Sequence, residues 1–205
     1  MSSDSEAGEP RLPKRARGKE RVAKLLQAAT AVFAEKGYEA ATMTEIAARA
    51  GAPIGSLYQF FPVKAALADT LVQSYIALLA ADLQALEARA DRMDTQTLVE
   101  GLLGLLRAHP KERAAAQPLA EARKKEEGRR PAFRRMLRGH IAAILRARAP
   151  TLGAEAAREM AIVMLTLMKA SSMLSDEEGL PGRAAGLREL RALAVQYLDQ
   201  RLPTI

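Results

Sequence analysis

The residues whose types and spacing could do chemistry lie between 42 and 60. Thr42, Met43, Thr44 and Glu45 have the form of a capping box. In it the Thr42 hydroxyl accepts from the Glu45 amide, while the Glu45 carboxylate reaches back to the Thr42 amide. A helix therefore starts at this point. Ile46, Ala47 and Ala50 give it a narrow apolar face, and Gly51 supplies the positive φ that ends it. A second short helix opens around Pro53, where a residue without an N–H leaves no intrahelical bond unmade. Two short helices joined by a tight turn form a helix-turn-helix. Gly55 is expected to face back toward Ala47, because so short a turn brings the helices close together. With Leu57 and Phe61 turned inward, Thr44, Ile54, Ser56, Tyr58 and Gln59 make the outer face. An exposed tyrosine beside serine, glutamine and glycine can touch sugar, phosphate and thymine methyl groups, which is the chemistry of double-stranded DNA recognition.

Helices this short need support, because nucleation is costly and packing must supply the difference. Val22, Leu25, Leu26, Ala29, Val32 and Phe33 recur at helical spacing and predict a first helix over 19–36, stopped by Gly37. Further helices are expected over 43–50, 54–60, 64–90, 95–108, 112–127, 131–148, 153–175 and 184–201. The breaks between them fall at Gly51, Pro62, Pro110, Pro131, Pro150 and the glycine- and proline-containing run 179–182. Alternating strand patterns bounded by turn dipeptides are absent, so the fold is expected to be all-α. Ile46, Leu57, Phe61 and Leu67 should close a small core with Val32 and Phe33.

The stretch from Thr42 to Leu67, with Ala31-Val32-Phe33-Ala34-Glu35-Lys36-Gly37-Tyr38 before it, resembles the DNA-binding signature of the tetracycline-repressor (TetR) family. Capping box, glycine turn, tyrosine and the later lysine fall together at the family's separations, over about residues 20–67. The resemblance implies a regulator with an N-terminal three-helix helix-turn-helix domain and a C-terminal helical domain for ligand binding and dimerisation. It implies a recognition helix running from Pro53 through Ile54, Gly55, Ser56 and Tyr58 to Gln59. It also implies phosphate contacts by Thr42 and Thr44, and a phosphate anchor at Lys64. Two positions depart from the family's commonest pattern. Phe60 stands where a polar-tipped Tyr or His is frequent, and Pro53 stands where a Ser or Thr often caps the helix.

Charge and composition agree with that reading. The chain of 205 residues carries a net charge of +7, which favours a polyanionic partner. Arg11, Lys14, Arg15, Arg17, Lys19 and Arg21 form a basic arm at the first helix, and residues 1–18 read as a disordered tail. The second basic run, from Lys111 to Arg138, also holds four glutamates and reads as a solvated helical face. With no cysteine the chain has neither disulfide nor thiolate metal site. His109 and His140 lack partners at ligand or catalytic spacing, so no cofactor, metal site or enzymatic activity is expected. No stretch approaches the roughly 20 consecutive apolar residues of a membrane span, and the expected location is the cytoplasm.

The expected organisation is a basic arm over 1–18, a DNA-binding domain over 19–67 and an effector-binding and dimerisation domain over 68–205. One short recognition helix reads too few base pairs for operator affinity, so a homodimer is expected. Its interface is placed on the last two long helices. Met160, Met164, Met168 and Met173 repeat at helical spacing and suit a core, an interface or an adaptable cavity. The implied mechanism is a repressor released from operator DNA by a small hydrophobic or amphipathic effector, bound in a mainly apolar cavity among the fourth to eighth helices. The alternatives are an activator without a ligand and a helical protein-interaction module.

Overall fold

The computed structural model describes residues 10, 16–122 and 129–203. Among them the secondary structure is helical: α1 (Ala16–Ala40), α2 (Met43–Arg49), α3 (Ile54–Phe60), α4 (Lys64–Glu87), α5 (Thr95–Leu105), α6 (Pro110–Ala122), α7 (Arg129–Arg148), α8 (Ala154–Asp176) and α9 (Arg183–Arg201), with a short 3₁₀ turn at Ala90–Arg92. The expected break at Gly37 is present as a non-helical residue (φ 76°, ψ 173°) that separates the body of α1 from its last turn. α1 begins at Ala16, so residues 16–18 are helical rather than part of a tail. The rest of the basic arm lies outside the described residues, apart from residue 10.

Two prolines expected at breaks between helices lie at helix starts. Pro110 is the first residue of α6 and Pro131 the third of α7, first-turn positions where the missing N–H has no intrahelical acceptor to lose.

The chain forms two compact units. One comprises the described residues of Met1–Ile76 and His109–Glu126, the other those of Ala77–Ala108 and Glu127–Ile205. α4 runs without a break past residue 67, and α6 returns to pack against α1. Ala115 and Leu119 of α6 join the core of the first unit beside Leu25, Ala29, Val32, Phe33, Ile46, Leu57, Phe61 and Leu67. All six residues expected to close this small core are in it.

In the second unit α7 and α5 pack on α8, and α9 packs on α5 and α8. Asp94 caps α5, its carboxylate accepting from the Thr97 amide at 2.7 Å. Met160, Met164 and Met168 are fully buried core residues, while Met173 is 67% exposed, so the methionine stripe leaves the core at its last member. Among the described residues α4 is long and apolar enough to cross a membrane by length and composition, although it holds no run of about 20 consecutive apolar residues. Asp69 and Asp82 interrupt it, and Leu67, Leu71, Leu79 and Leu83 are buried in the protein.

Candidate nucleic-acid interface

α2 starts as its sequence requires. The Thr42 hydroxyl accepts from the Glu45 amide at 3.2 Å, and the Glu45 carboxylate accepts from the Thr42 amide at 3.1 Å. The Thr42 hydroxyl also donates to Glu45 Oε2 at 3.0 Å. That proton is thus spent inside the capping box, and Thr42 acts first as the residue that starts α2.

Ile46, Ala47 and Leu57 hold the α2–α3 pair onto the core, and the Ala52 amide donates to the Ala47 carbonyl at 3.0 Å to close the turn at Gly51 (φ 60°). α3 begins after Pro53, whose carbonyl accepts from the Ser56 amide at 2.9 Å. Around one turn of α3, Leu57 is wholly buried while Tyr58 is 49% and Ile54 39% exposed. Thr44, Pro53, Gly55 and Gln59 are exposed as well, as is Ala48, which sequence reasoning left out.

Three expected site residues are placed differently. Gly55 does not face Ala47: a Cβ built on it meets open space, so the close helix approach is made by Ala47 itself and Gly55 lies on the outer surface. Ser56 is half-buried and its Oγ is fully buried without a hydrogen-bond partner, so its hydroxyl is turned away from the outer face.

Lys64 does not project as a free phosphate anchor. Its ammonium donates to the carbonyls of Tyr38, Glu39 and Ala41 at 2.7, 3.2 and 3.0 Å and sits 4.5 Å from the centroid of the Tyr38 ring. Its three protons are matched by three carbonyls at the end of α1, where unpaired acceptors and the negative end of the helix dipole favour a cation. Lys64→Gln is accordingly expected to cost about 1.5–3 kcal/mol of stability in chemical denaturation. The salt slope of DNA binding should stay unchanged, whereas loss of a phosphate contact would lower that slope by about 1.

Two ion pairs absent from the sequence reading clip the end of α1 to α2: Lys36 with Glu45, and Arg49 Nη1 with Glu35 Oε1 at 2.6 Å. The Lys36 ammonium, followed by the Thr42 hydroxyl and amide, holds the Glu45 carboxyl below its ordinary range, and Arg49 does the same for Glu35. Both groups bind protons more readily in the unfolded chain. Their contribution is therefore present at neutral pH and is lost as pH falls through and below the usual glutamate range. Thermal melts from neutral pH down to about pH 3 should show a melting temperature that falls mainly below the usual glutamate range of about 4.3. Glu45→Gln should flatten that fall, and an unchanged pH slope in the variant would show that the pair contributes nothing.

With Lys36, Arg49 and Lys64 engaged internally, exposed cations remain at the start of α1, where Arg17, Lys19 and Arg21 all face solvent. Phe60 is half-buried and packs against the core, which accounts for an apolar ring at a position otherwise suited to a polar tip.

Residues 25–71, which carry this exposed aromatic and polar face and the capped helix before it, match the family of bacterial regulatory proteins, tetR family. The tetracyclin repressor-like C-terminal domain matches residues 93–198, about half of the chain. The chain belongs to the TetR family. This TetR protein is thus a DNA-binding transcriptional regulator, not an enzyme, and the reading of it as a bare protein-interaction module is not favoured. Solved structures share its fold at low identity. A TetR family member from Streptomyces coelicolor A3 superposes with a TM-score of 0.62 at 21% identity, covering 90% of this chain and 99% of that one. The multidrug binding protein EbrR complexed with imidazole gives 0.60 at 20%, covering 90% and 96%. The SmeT–triclosan complex gives 0.60 at 20%, covering 90% and 92%. No curated protein sequence matches the chain.

Proposed function

We propose that this TetR protein is a homodimeric cytoplasmic repressor that reads operator DNA with the outer face of α2 and α3 and leaves it when a small hydrophobic or amphipathic effector binds the C-terminal unit. The observation that carries the reading is the half-exposed Tyr58 beside the wholly buried Leu57: α3 is anchored through one face and presents its aromatic side chain on the other. In this reading Tyr58, Gln59, Ile54 and Gly55 meet base edges and sugar, with Thr44 and Pro53 at the flanking backbone. Thr42, Ser56 and Lys64 hold those elements in place. Arg17, Lys19 and Arg21 supply phosphate contacts.

Dimerisation is supported by apolar side chains left on the surface of α8 and α9: Ile162, Val163 and Met173 on the first, and Leu193, 58% exposed, on the second. Paired long helices of this kind suit a two-fold four-helix interface. Leu193→Glu should yield monomers in sedimentation and lower operator affinity about 100-fold or more, since each half-site is then bound alone. An intact dimer would move the interface elsewhere.

Effector release is supported by the imidazole and triclosan found with two proteins of the same fold. A ligand displaces the repressor only by its differential affinity for the DNA-incompetent conformation. Gel shifts with the chain's own upstream region, with and without compounds that raise the melting temperature, test both halves of the proposal. A stabilising compound that leaves the shifted band unchanged would remove the effector half.

A further inference from the structure

Beside α9, outside the region among the fourth to eighth helices where an effector chamber is expected, the C-terminal unit carries a cavity of mixed polar and apolar lining. It has a volume of about 340 Å³ and opens between α5, α8 and α9, lined by Glu100, Leu103, Arg107, Ser171, Leu187 and Arg191. Its floor holds buried Leu103 and the buried Ser171, its side the half-buried Leu187, and its rim three charged groups.

The rim charges do not cancel. Arg191 Nη1 pairs with Glu100 Oε1 at 3.0 Å, which leaves Arg107 as a surplus positive charge. Arg107 Nη1 donates to the Ser175 hydroxyl at 2.9 Å, and that hydroxyl's own proton goes to the Ser171 carbonyl at 2.7 Å. Ser175 can therefore only accept from the guanidinium. It orients Arg107 without neutralising it, and further N–H groups remain on a fork whose geometry matches a carboxylate.

We infer that this cavity is a binding site for a small monocarboxylate with a short apolar tail, its carboxylate on Arg107 and its tail between Leu103 and Leu187. The surplus cation of the lining matches a carboxylate. The Arg183 guanidinium, which donates to the Ser175 carbonyl at 3.2 Å, adds to the positive side, and the Glu100 carboxylate at the same rim disfavours a second anion. The leucine walls give a tail apolar contact that an inorganic anion cannot use. The volume lies at the lower end of the roughly 300–1,000 Å³ of small-molecule pockets. The site does not depend on the operator reading, because binding is measured on the free protein.

The test is calorimetric titration of the full-length protein with hexanoate, with 1-hexanol, hexylamine and inorganic phosphate as comparisons. Hexanoate should bind saturably and the other three should not. Arg107→Gln and, independently, Leu187→Gln should each weaken hexanoate about tenfold or more, while circular dichroism shows the fold retained. Hexanoate binding unaffected by both variants, binding of hexanol or phosphate as tight as that of hexanoate, or no hexanoate binding at all would each overturn the assignment.

Discussion

Tyr58→Ala is expected to lower operator affinity by about 10- to 100-fold, the loss of about 1–3 kcal/mol that accompanies removal of a base-reading side chain. Helical content, melting temperature and dimerisation should be nearly unchanged. The asymmetry follows from position: the Tyr58 side chain is half-exposed, so its removal opens no cavity in the core. Fluorescence anisotropy on a labelled operator, with a thermal melt of the same preparation, separates the two effects. If the variant binds normally, or loses binding only because it unfolds, the outer face of α3 is misassigned.

The neighbouring substitution should behave in the opposite way. Leu57 has no exposed surface and packs in the core formed by α1, α2, α3, α4 and α6. Leu57→Ala removes buried methyl groups and leaves a cavity, at a cost of about 2–5 kcal/mol. Denaturant titration should show a lower midpoint, and operator binding should fall in step with the unfolded fraction. Adjacent residues about 100° apart around a short helix thus report folding and recognition separately. A Leu57→Ala protein as stable as the wild type would contradict the helix register itself.

What the sequence made legible was chiefly local. The capping box at Thr42–Glu45 spans four residues and was readable because both of its hydrogen bonds close within about one turn. Leu57 and Phe61, four apart, set the inward face of α3 and with it the outward placement of Tyr58. Their spacing did not settle which way Gly55 and the Ser56 hydroxyl turn, since α3 has only seven residues and its flanks are set by the helices packed around it.

Contacts between distant segments were not legible. Lys64 reaches carbonyls 23 to 26 residues earlier in the chain, and Arg49 reaches Glu35 across a helix crossing. In sequence Lys64 reads as a phosphate anchor and Arg49 as a surface charge; only the crossing of α1 with its neighbours gives them their partners. The return of α6 to α1 was hidden for a related reason: the helix after Pro110 is readable in sequence, but only packing shows that its Ala115 and Leu119 complete the N-terminal core.

The most direct test of the account is a quantitative footprint of the wild-type protein on the DNA upstream of its own coding sequence. The account predicts two protected, symmetry-related half-sites with centres about 34 Å, or a multiple of one helical turn, apart, and loss of both together in Tyr58→Ala. Uniform protection without sequence preference, or a specific footprint that persists unchanged in Tyr58→Ala, would contradict it.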